Sequence, residues 1–320
     1  MVKLITIAKN TLTETLRQPI YAIMIGCAIL LFIISPSLTM YTMDDDNKLL
    51  REIGLSTLFI TSLFVAIFSA SGAVAEEMDN KTITTVLSKP VSRPIFILAK
   101  FLGICSAVAL AHYICSIALM MAIRHGVLET AGDTHDWTVI TAGAIAIFGS
   151  LSLATFFSYV FGWKFSSTTV VLLALFATGA MLFLLMVDRE WTFNPAKNGF
   201  HRLDAFGALL LFLAAIVISA LALAFSCRFN VVVTLSACVG VFLLGLISDY
   251  VFSRFADTHL WAQIGRYLVP NLQVFWIADA IYEGGNITFR YIGTAATYAL
   301  CYTGAILAFS VALFQRRQVG

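Results

Sequence analysis

Charged residues are scarce in this chain of 320 residues: Asp, Glu, Lys and Arg make up 12% of it, and the formal net charge is +2. Soluble globular proteins are typically about 25% charged, so the sequence argues against a water-soluble protein. The basic residues are also dispersed, whereas a nucleic-acid-binding protein usually concentrates them on one surface. We therefore expect no nucleic acid among the partners.

Sequence motifs for nucleotide hydrolysis and for catalysis are absent as well. The chain has no GxxxxGK(S/T) motif, so it cannot hydrolyse ATP through a phosphate-binding loop of that type. It lacks GxSxG and HExxH motifs, which excludes these common hydrolase signatures. None of its six cysteines forms a CxxC pair. We expect a protein that is not an enzyme and that holds no cofactor or metal of its own.

Apolar residues, in contrast, form 60% of the chain and give it a mean hydropathy of +0.90. Eight apolar runs reach the roughly 20 residues that a helix needs to cross a ~30 Å hydrocarbon core. Their hydrophobicity is continuous rather than alternating, which excludes a transmembrane β-barrel. The sequence predicts an all-α polytopic membrane protein in which residues 1–320 form a single transmembrane domain. The predicted spans are 20–40, 55–75, 95–123, 137–161, 165–187, 205–226, 231–253 and 291–314.

Residues 2–18, ahead of the first span, predict an amphipathic helix that lies in the membrane interface. Pro19 follows directly, and a proline cannot continue the helix before it. The predicted apolar face consists of Leu4, Ile5, Ala8, Leu12 and Leu16.

Basic residues near the span ends set the expected orientation, because cytoplasmic loops carry an excess of Lys and Arg. Segments 1–19 and 76–100 together hold seven of the 20 basic residues. With these segments inside, the count over all loops is 11 inside against 9 outside. Eight spans then place both termini in the cytoplasm.

Two loops on the opposite side are unusual. Segment 254–290 is rich in aromatic residues, which settle at the headgroup level, so we expect two short helices on or in the outer interface. Segment 124–136 contains histidines and carboxylates, the ligand types of many divalent metal sites. Their spacing matches no tight metal-binding motif, and we expect these side chains to face water. They are His125, Glu129, Asp133, His135 and Asp136.

The most informative segment is the loop between the second and third predicted spans, residues 76–100. It begins with acidic residues, and Pro90 ends a short helix because the residue before a proline disfavours helical backbone. Ser92 can cap the next helix, where Pro94 is tolerated in the first turn. Lys100, inside that helix, is expected to reach the lipid headgroups. The pattern predicts a rigid knob projecting into the cytoplasm, and the alternative is an ordinary charged connection.

These residues resemble the loop of type-2 ABC transporter permeases, in which an acidic residue and a threonine precede Leu-Ser-x-Pro-Val-Ser-Arg and a lysine at the next span. The layout of the whole chain is similar too, and the resemblance is closest to the branch of multi-copper-enzyme maturation permeases. By this resemblance, the residues that couple the chain to an ATPase are Glu76, Glu77, Asp79, Thr82, Leu87, Ser88, Pro90, Val91, Ser92, Arg93 and Lys100.

The resemblance implies half of an exporter in the bacterial inner membrane. Two permease chains, identical or different, would form the pathway through the lipid bilayer. Two separate ATP-binding subunits, which carry ATP and magnesium, would dock on the 76–100 loop, with helix 2–18 bracing the contact. An extracytoplasmic partner protein is the alternative target of the force. The family core commonly has six spans, so the pair 137–161 and 165–187 is where an insertion or a re-entrant hairpin is expected.

His112 lies near the middle of the third predicted span, at a depth where a polar group is costly. It predicts either an interhelical hydrogen bond or a contact in the transport pathway. The alternative function for the whole chain is a channel or an ion-coupled transporter unrelated to ABC proteins. Such carriers ordinarily show charged residues in the spans or inverted repeats with broken helices, and neither is clear in this sequence.

Overall fold

The computed structural model describes residues 2–39, 46–75, 92–128, 134–255, 259–282, 285 and 287–315. Within these ranges the chain is almost entirely helical, and its β-structure is limited to one isolated bridge between Val187 and Phe193. The predicted all-α fold is confirmed. The helices are α1 Val2–Arg17, α2 Pro19–Thr39, α3 Asp46–Ala70, α4 Arg93–His125, α5 Trp137–Phe161, α6 Phe165–Met186, α7 Arg202–Ser226, α8 Val231–Leu246, α9 Leu260–Leu268, α10 Ala278–Tyr282 and α11 Phe289–Gln315.

Seven helices of the described residues are long and apolar enough to cross a membrane, namely α2 to α7 and α11. The predicted eighth span, 231–253, is divided. Its helix α8 ends at Leu246 after 16 residues, a length of about 24 Å, which is shorter than a ~30 Å hydrocarbon core. A π-helical turn, Asp249–Ser253, follows after a short break. The chain is an integral membrane protein, and its described residues include seven helices long enough to cross a membrane and one shorter apolar helix.

Helices α3, α4 and α7 form the centre of the bundle, and in each of them more than half of the apolar, membrane-crossing stretch is buried. Each of the three packs on the other two, while α2 rests on α3 and α4, and α11 rests on α7. Small residues allow close approach of the backbones. A methyl group built on Gly54 of α3 would overlap the Leu119 side chain of α4 at 2.2 Å. The buried face of α7 is rich in alanine, including Ala214 and Ala215.

Helices α5 and α6 form a hairpin at the side of this bundle. They pack mainly on each other, and only 28% of the apolar, membrane-crossing stretch of each helix is buried. The turn between them is made by Gly162, whose φ of +68° is readily adopted by glycine alone. The hairpin coincides with the pair of spans that the sequence marks as an addition to a six-span core.

The segment after α8 folds back along α11. The Leu272 amide donates to the Gly245 carbonyl at the end of α8, at 3.1 Å. On the other side, the Tyr302 hydroxyl donates to the Leu268 carbonyl and the Tyr291 hydroxyl to the Val274 carbonyl, both at 2.6 Å. Because these two tyrosines are 11 residues apart, residues 268–274 follow α11 for about three turns. The segment therefore descends into the bundle between α8 and α11.

Candidate functional site

The end of the bundle at which α3 stops and α4 starts is called the loop end here, and the opposite end the far end. At the loop end, α1 packs directly on α4. A methyl group built on Gly103 would lie 2.7 Å from both the Ala8 carbonyl oxygen and Thr11 Cβ, so the two helices touch through a residue without a side chain. The buried side of α1 consists of Thr11, Thr15 and Leu16.

The buried side of α1 coincides only in part with the predicted apolar face, with which it shares Leu16. Ile5 belongs to that face but is 62% exposed, whereas the two buried threonines do not belong to it. The close approach at Gly103 leaves room for short side chains only, and Thr15 satisfies its hydroxyl by donating to the Thr11 carbonyl at 3.0 Å. Tertiary packing therefore sets which side of α1 faces the protein, and that side includes two threonines beside Leu16.

The end of α1 also contacts two other elements of the loop end. Ser166, in the first turn of α6, donates its hydroxyl to the Leu16 carbonyl at 3.2 Å. The Gln18 side chain fills the space over Gly72, which lies in the π-helical turn Ser71–Ala75 that continues α3. Helix α1 thus joins α3, α4 and α6 beside the exit of the 76–91 connection.

The first residue of α4 is clamped to the end of the last helix. Arg93 donates from a terminal guanidinium nitrogen to the Phe314 carbonyl at 3.0 Å, and its guanidinium carbon lies 5.8 Å from the centre of the Phe314 ring. That ring stacks on Phe96, with 5.7 Å between centroids. A cation at the carbonyl end of a helix is electrostatically favourable. We call this contact the Arg93–Phe314 clamp.

Two further residues of the predicted coupling set lie within the described residues. Ser92 precedes α4 with extended backbone, and its side chain makes no capping hydrogen bond. Lys100 is only 2% exposed, and its ammonium nitrogen lies 5.7 Å from the centre of the Phe96 ring. The expectation that Lys100 reaches the headgroups is therefore wrong, because packing of α1 and α11 around α4 covers it. The remaining predicted coupling residues lie outside the described residues: Glu76, Glu77, Asp79, Thr82, Leu87, Ser88, Pro90 and Val91.

His112 joins the three central helices. Its Nδ1 lies 2.7 Å from the Ser62 hydroxyl of α3, and its Nε2 lies 2.9 Å from the Ala208 carbonyl oxygen of α7. A carbonyl can only accept, so Nε2 carries the proton. The Ser62 hydroxyl has two acceptors within reach of its single proton, Nδ1 of the neutral ring and the Leu58 carbonyl at 2.8 Å. Of the two predicted roles, the interhelical hydrogen bond is therefore present. The ring also borders an apolar cleft of about 510 Å³ between α4, α6 and α7, lined by Tyr113, Met181 and Phe212.

At the far end a buried ion pair joins three helices, α4, α5 and α6. Arg124, at the end of α4, donates through Nε to Asp136 at 3.2 Å, and both side chains are almost completely buried. Its terminal nitrogens donate to the Thr138 hydroxyl at 3.0 Å and to the Leu184 and Val187 carbonyls at 2.5 and 2.9 Å. Asp136 in turn caps α5 by accepting from the Val139 amide at 3.2 Å. We expect removal of either partner to be destabilising, because the other charge then stays buried without it.

The network changes the interpretation of loop 124–136. Asp136 does not face water as expected, since it is 1% exposed and holds Arg124. His125 and His135 approach each other, with 3.4 Å between Nε2 and Nδ1. Glu129 and Asp133 lie outside the described residues. Among the residues that the structure does describe, no group of three or more His, Cys, Asp or Glu could hold a metal ion.

These features define a polytopic α-helical membrane protein with a braced helix and a clamped span at its loop end. In a comparison with protein families, the model for the ABC-2 family transporter proteins matches residues 5–162, from α1 to the turn after α5. The chain belongs to this family: it is a type-2 ABC permease, the membrane subunit of an ABC transporter. The resemblance seen in loop 76–100 is thereby confirmed at the level of the family. A comparison with curated proteins finds no match.

Sequence reasoning missed the Arg124–Asp136 pair, although part of its signal is visible. Asp136 directly precedes the apolar run of α5, the position at which aspartate commonly caps a helix. An arginine at the last turn of α4 is ordinary at a helix end and does not reveal that it is buried. Nothing in the sequence indicates that the carbonyls of Leu184 and Val187 meet it.

Proposed function

We propose that this chain is the membrane subunit of an ATP-driven exporter, and that residues 76–100 receive force from a separate ATP-binding subunit that carries ATP and magnesium. A second permease chain, identical or different, completes the pathway. The loop end faces the cytoplasm of a bacterial cell, so both termini lie inside, and the far end faces outward. The family match favours this function over a channel or an ion-coupled carrier.

The observation that carries the proposal is the way in which the loop enters the bundle. The 76–91 connection leads directly into α4, one of the three central helices. The first residues of α4 are held by α11 through the Arg93–Phe314 clamp, and its next turns are held by α1 at Gly103. A push on the connection is therefore delivered to α4, α1 and α11 together rather than lost in a flexible joint.

The composition of the loop suits a protein partner. Acidic residues at its start and basic residues at Lys81 and Lys89 surround a short apolar stretch at Val86 and Leu87. Protein interfaces commonly place a small apolar centre inside a polar, charge-complementary rim. We infer that the partner is an ATPase with a groove of matching charge.

The test is co-purification of the tagged chain from its native cells in mild detergent, with mass spectrometry of the bound proteins. We expect a soluble ATPase of one or two domains near a 1:1 ratio. Glu77→Lys should release it, because the reversed charge opposes the partner's rim. The matched control is Glu190→Lys, which reverses an exposed charge at the far end and should retain the ATPase. If no ATPase is recovered with the unaltered chain, the proposal fails.

Arg93→Glu needs a different interpretation from Glu77→Lys. Arg93 bonds to the Phe314 carbonyl within the chain, so its reversal also places a carboxylate against the carbonyl end of α11. Loss of the ATPase in Arg93→Glu together with retention in Phe314→Ala would assign the loss to the charge of Arg93 rather than to its packing on the Phe314 ring. Loss in both variants would assign it to positioning of the loop.

A further inference from the structure

A polar cavity of about 700 Å³ opens at the far end, between the outer ends of α3, α4 and α7 and the segment that joins α6 to α7. We call it the far-end cavity. Its volume lies within the range of about 300–1,000 Å³ that is usual for small-ligand sites. The polar side chains that border it include Asn47, Arg51, His125, Arg189 and His201. None of the roles proposed above uses it.

Three arginines from three different elements surround this cavity. Arg124 forms its wall, and its donors are taken by Asp136, Thr138 and the end of α6. Arg189 is different, because 57% of its side chain is exposed. Its Nε lies 3.4 Å from Asp136 Oδ2, and one of its terminal nitrogens donates to the Arg124 carbonyl at 2.6 Å. Arg189 is thus held in place by its base while it remains accessible from the cavity.

The third arginine, Arg51 on α3, is held in a similar way. Its Nε lies 3.2 Å from Asp204 Oδ1 of α7, and 22% of its side chain is exposed. Asp136 and Asp204 each lie close to an arginine Nε, the guanidinium nitrogen nearest the chain. This arrangement orients Arg51 and Arg189 without covering them fully.

Among the described residues, the lining of the cavity includes three arginines and no acidic side chain. These three guanidinium groups meet two carboxylates, since Asp136 is shared by Arg124 and Arg189 while Asp204 pairs with Arg51. The surplus is positive, and His125 and His201 add groups that gain charge on protonation. A positive surplus in a partly enclosed cavity attracts anions, because low-dielectric walls strengthen the field.

Gly126 lines the cavity between Asn47 and Arg189. Its φ is +71°, a backbone conformation that favours glycine. A methyl group built there would lie 3.6 Å from the Asn47 side-chain oxygen and 3.8 Å from a terminal nitrogen of Arg189. Asn47 and Arg189 therefore flank the same point, although they come from different elements.

We propose that the far-end cavity binds a phosphate group. Guanidinium groups recognise phosphate through two or more charge-assisted hydrogen bonds, and a tetrahedral phosphate presents oxygens in several directions at once. Arg51 on α3 and Arg189 on the α6–α7 segment approach the cavity from different directions. Such an arrangement suits a tetrahedral phosphate better than a planar carboxylate. The phosphate belongs either to a free or small-molecule phosphate or to a lipid headgroup. The proposal is independent of the ATPase, and its test requires none.

The experiment uses the purified full-length chain in a non-ionic detergent, titrated with inorganic phosphate at constant ionic strength and followed by isothermal titration calorimetry and thermal stability. We expect saturable binding that weakens roughly tenfold in Arg189→Gln, since one charge-assisted contact is lost. Arg189→Lys, which keeps the charge but loses the fork, should fall between the two. Arg254→Gln removes an exposed arginine elsewhere at the far end and should bind as the unaltered chain does.

A second arm distinguishes the two sources of phosphate. Short-chain phosphatidic acid and the matching diacylglycerol are titrated in the same detergent. Phosphatidic acid that binds more tightly than inorganic phosphate, in a manner dependent on Arg189, identifies a lipid headgroup, and equal affinities identify a free phosphate. The proposal is overturned if neither phosphate ligand saturates the unaltered chain. It is equally overturned if folded Arg189→Gln and Arg189→Lys both bind as tightly as the unaltered chain.

Discussion

Replacement of Arg124 by methionine is the sharpest test of the far-end network. The guanidinium is buried and donates to four groups on α5 and at the end of α6. Its removal leaves the Asp136 carboxylate, which has no exposed side-chain surface, with Arg189 as its ion-pair partner at 3.4 Å. Breaking a buried pair by removing one partner costs about 3–5 kcal/mol. We expect the free energy of unfolding of Arg124→Met to fall by about 3 kcal/mol, the low end of that range.

Arg189→Gln is the matched control, because it removes a guanidinium that approaches the same oxygen of Asp136 from an exposed position. Exposed ion pairs contribute about 0–1 kcal/mol, so we expect a loss below about 1 kcal/mol for this variant. The double variant Arg124→Met/Asp136→Asn should recover part of the first loss, since no unpaired charge is then buried.

The measurement is reversible unfolding in mixed micelles of increasing SDS fraction, followed by tryptophan fluorescence. Trp137 lies next to Asp136 and starts α5, so its emission is expected to respond to opening of this corner. Equal losses for Arg124→Met and Arg189→Gln would refute the reasoning. Such a result would mean that burial does not set the energy of this pair.

Three further predictions concern the other contacts. Gly103→Val should lower the free energy of unfolding by about 1–3 kcal/mol through overpacking, because a side chain there meets Ala8 and Thr11. Thermal unfolding measures this loss. The control is Gly26→Ala, which has open space around it and should leave the stability nearly unchanged. Phe314→Ala should weaken the clamp, because it removes the ring beside Arg93 and Phe96 while it keeps the backbone carbonyl. Amide hydrogen exchange at the end of α11 should speed up, and unchanged exchange would remove the ring contacts from the mechanism. His112→Leu should lower the free energy of unfolding by about 0.5–1.5 kcal/mol, because the hydrogen bonds that join α4 to α3 and α7 are lost. Unfolding is the readout, and His112→Gln is expected to recover part of the loss.

The spans were predictable because lipid imposes one simple requirement. Each crossing helix must satisfy its own backbone and present apolar side chains, and the predicted run 137–161 coincides with α5. The predicted run 231–253 does not form one continuous helix, and the cause is a tertiary contact that hydropathy cannot reveal. Gly245 lets the chain near Leu272 and Pro270 approach α8, where a methyl group would lie 2.8 Å from either residue. Apolar composition cannot tell a full crossing from a short helix that meets a returning segment.

The partners of individual side chains were less predictable than the spans. His112 was identifiable as an intramembrane polar group, yet Ser62 and Ala208 lie 50 and 96 residues away in sequence. Their meeting depends on the packing of three helices and has no local signal. Arg93 was identifiable from a local motif, whereas its bond to Phe314 spans 221 residues. Local pattern therefore identified which residues are unusual, and tertiary packing decided what they touch.

The close fit of α3, α4 and α7 has a consequence for cargo. Side chains of these helices such as Val65, Ala107 and Ala214 are completely buried. The three helices therefore form a tightly packed core rather than the wall of a channel. We expect cargo to travel along the outside of this three-helix core, in a space shared with a second chain. Helices α2 and α11, with about a third or less of each spanning window buried, have faces to offer such a neighbour. Oxidative cross-linking between copies through Cys27 of α2 or Cys301 of α11, both exposed, would detect that contact, and its absence in a functional dimer would place the route elsewhere.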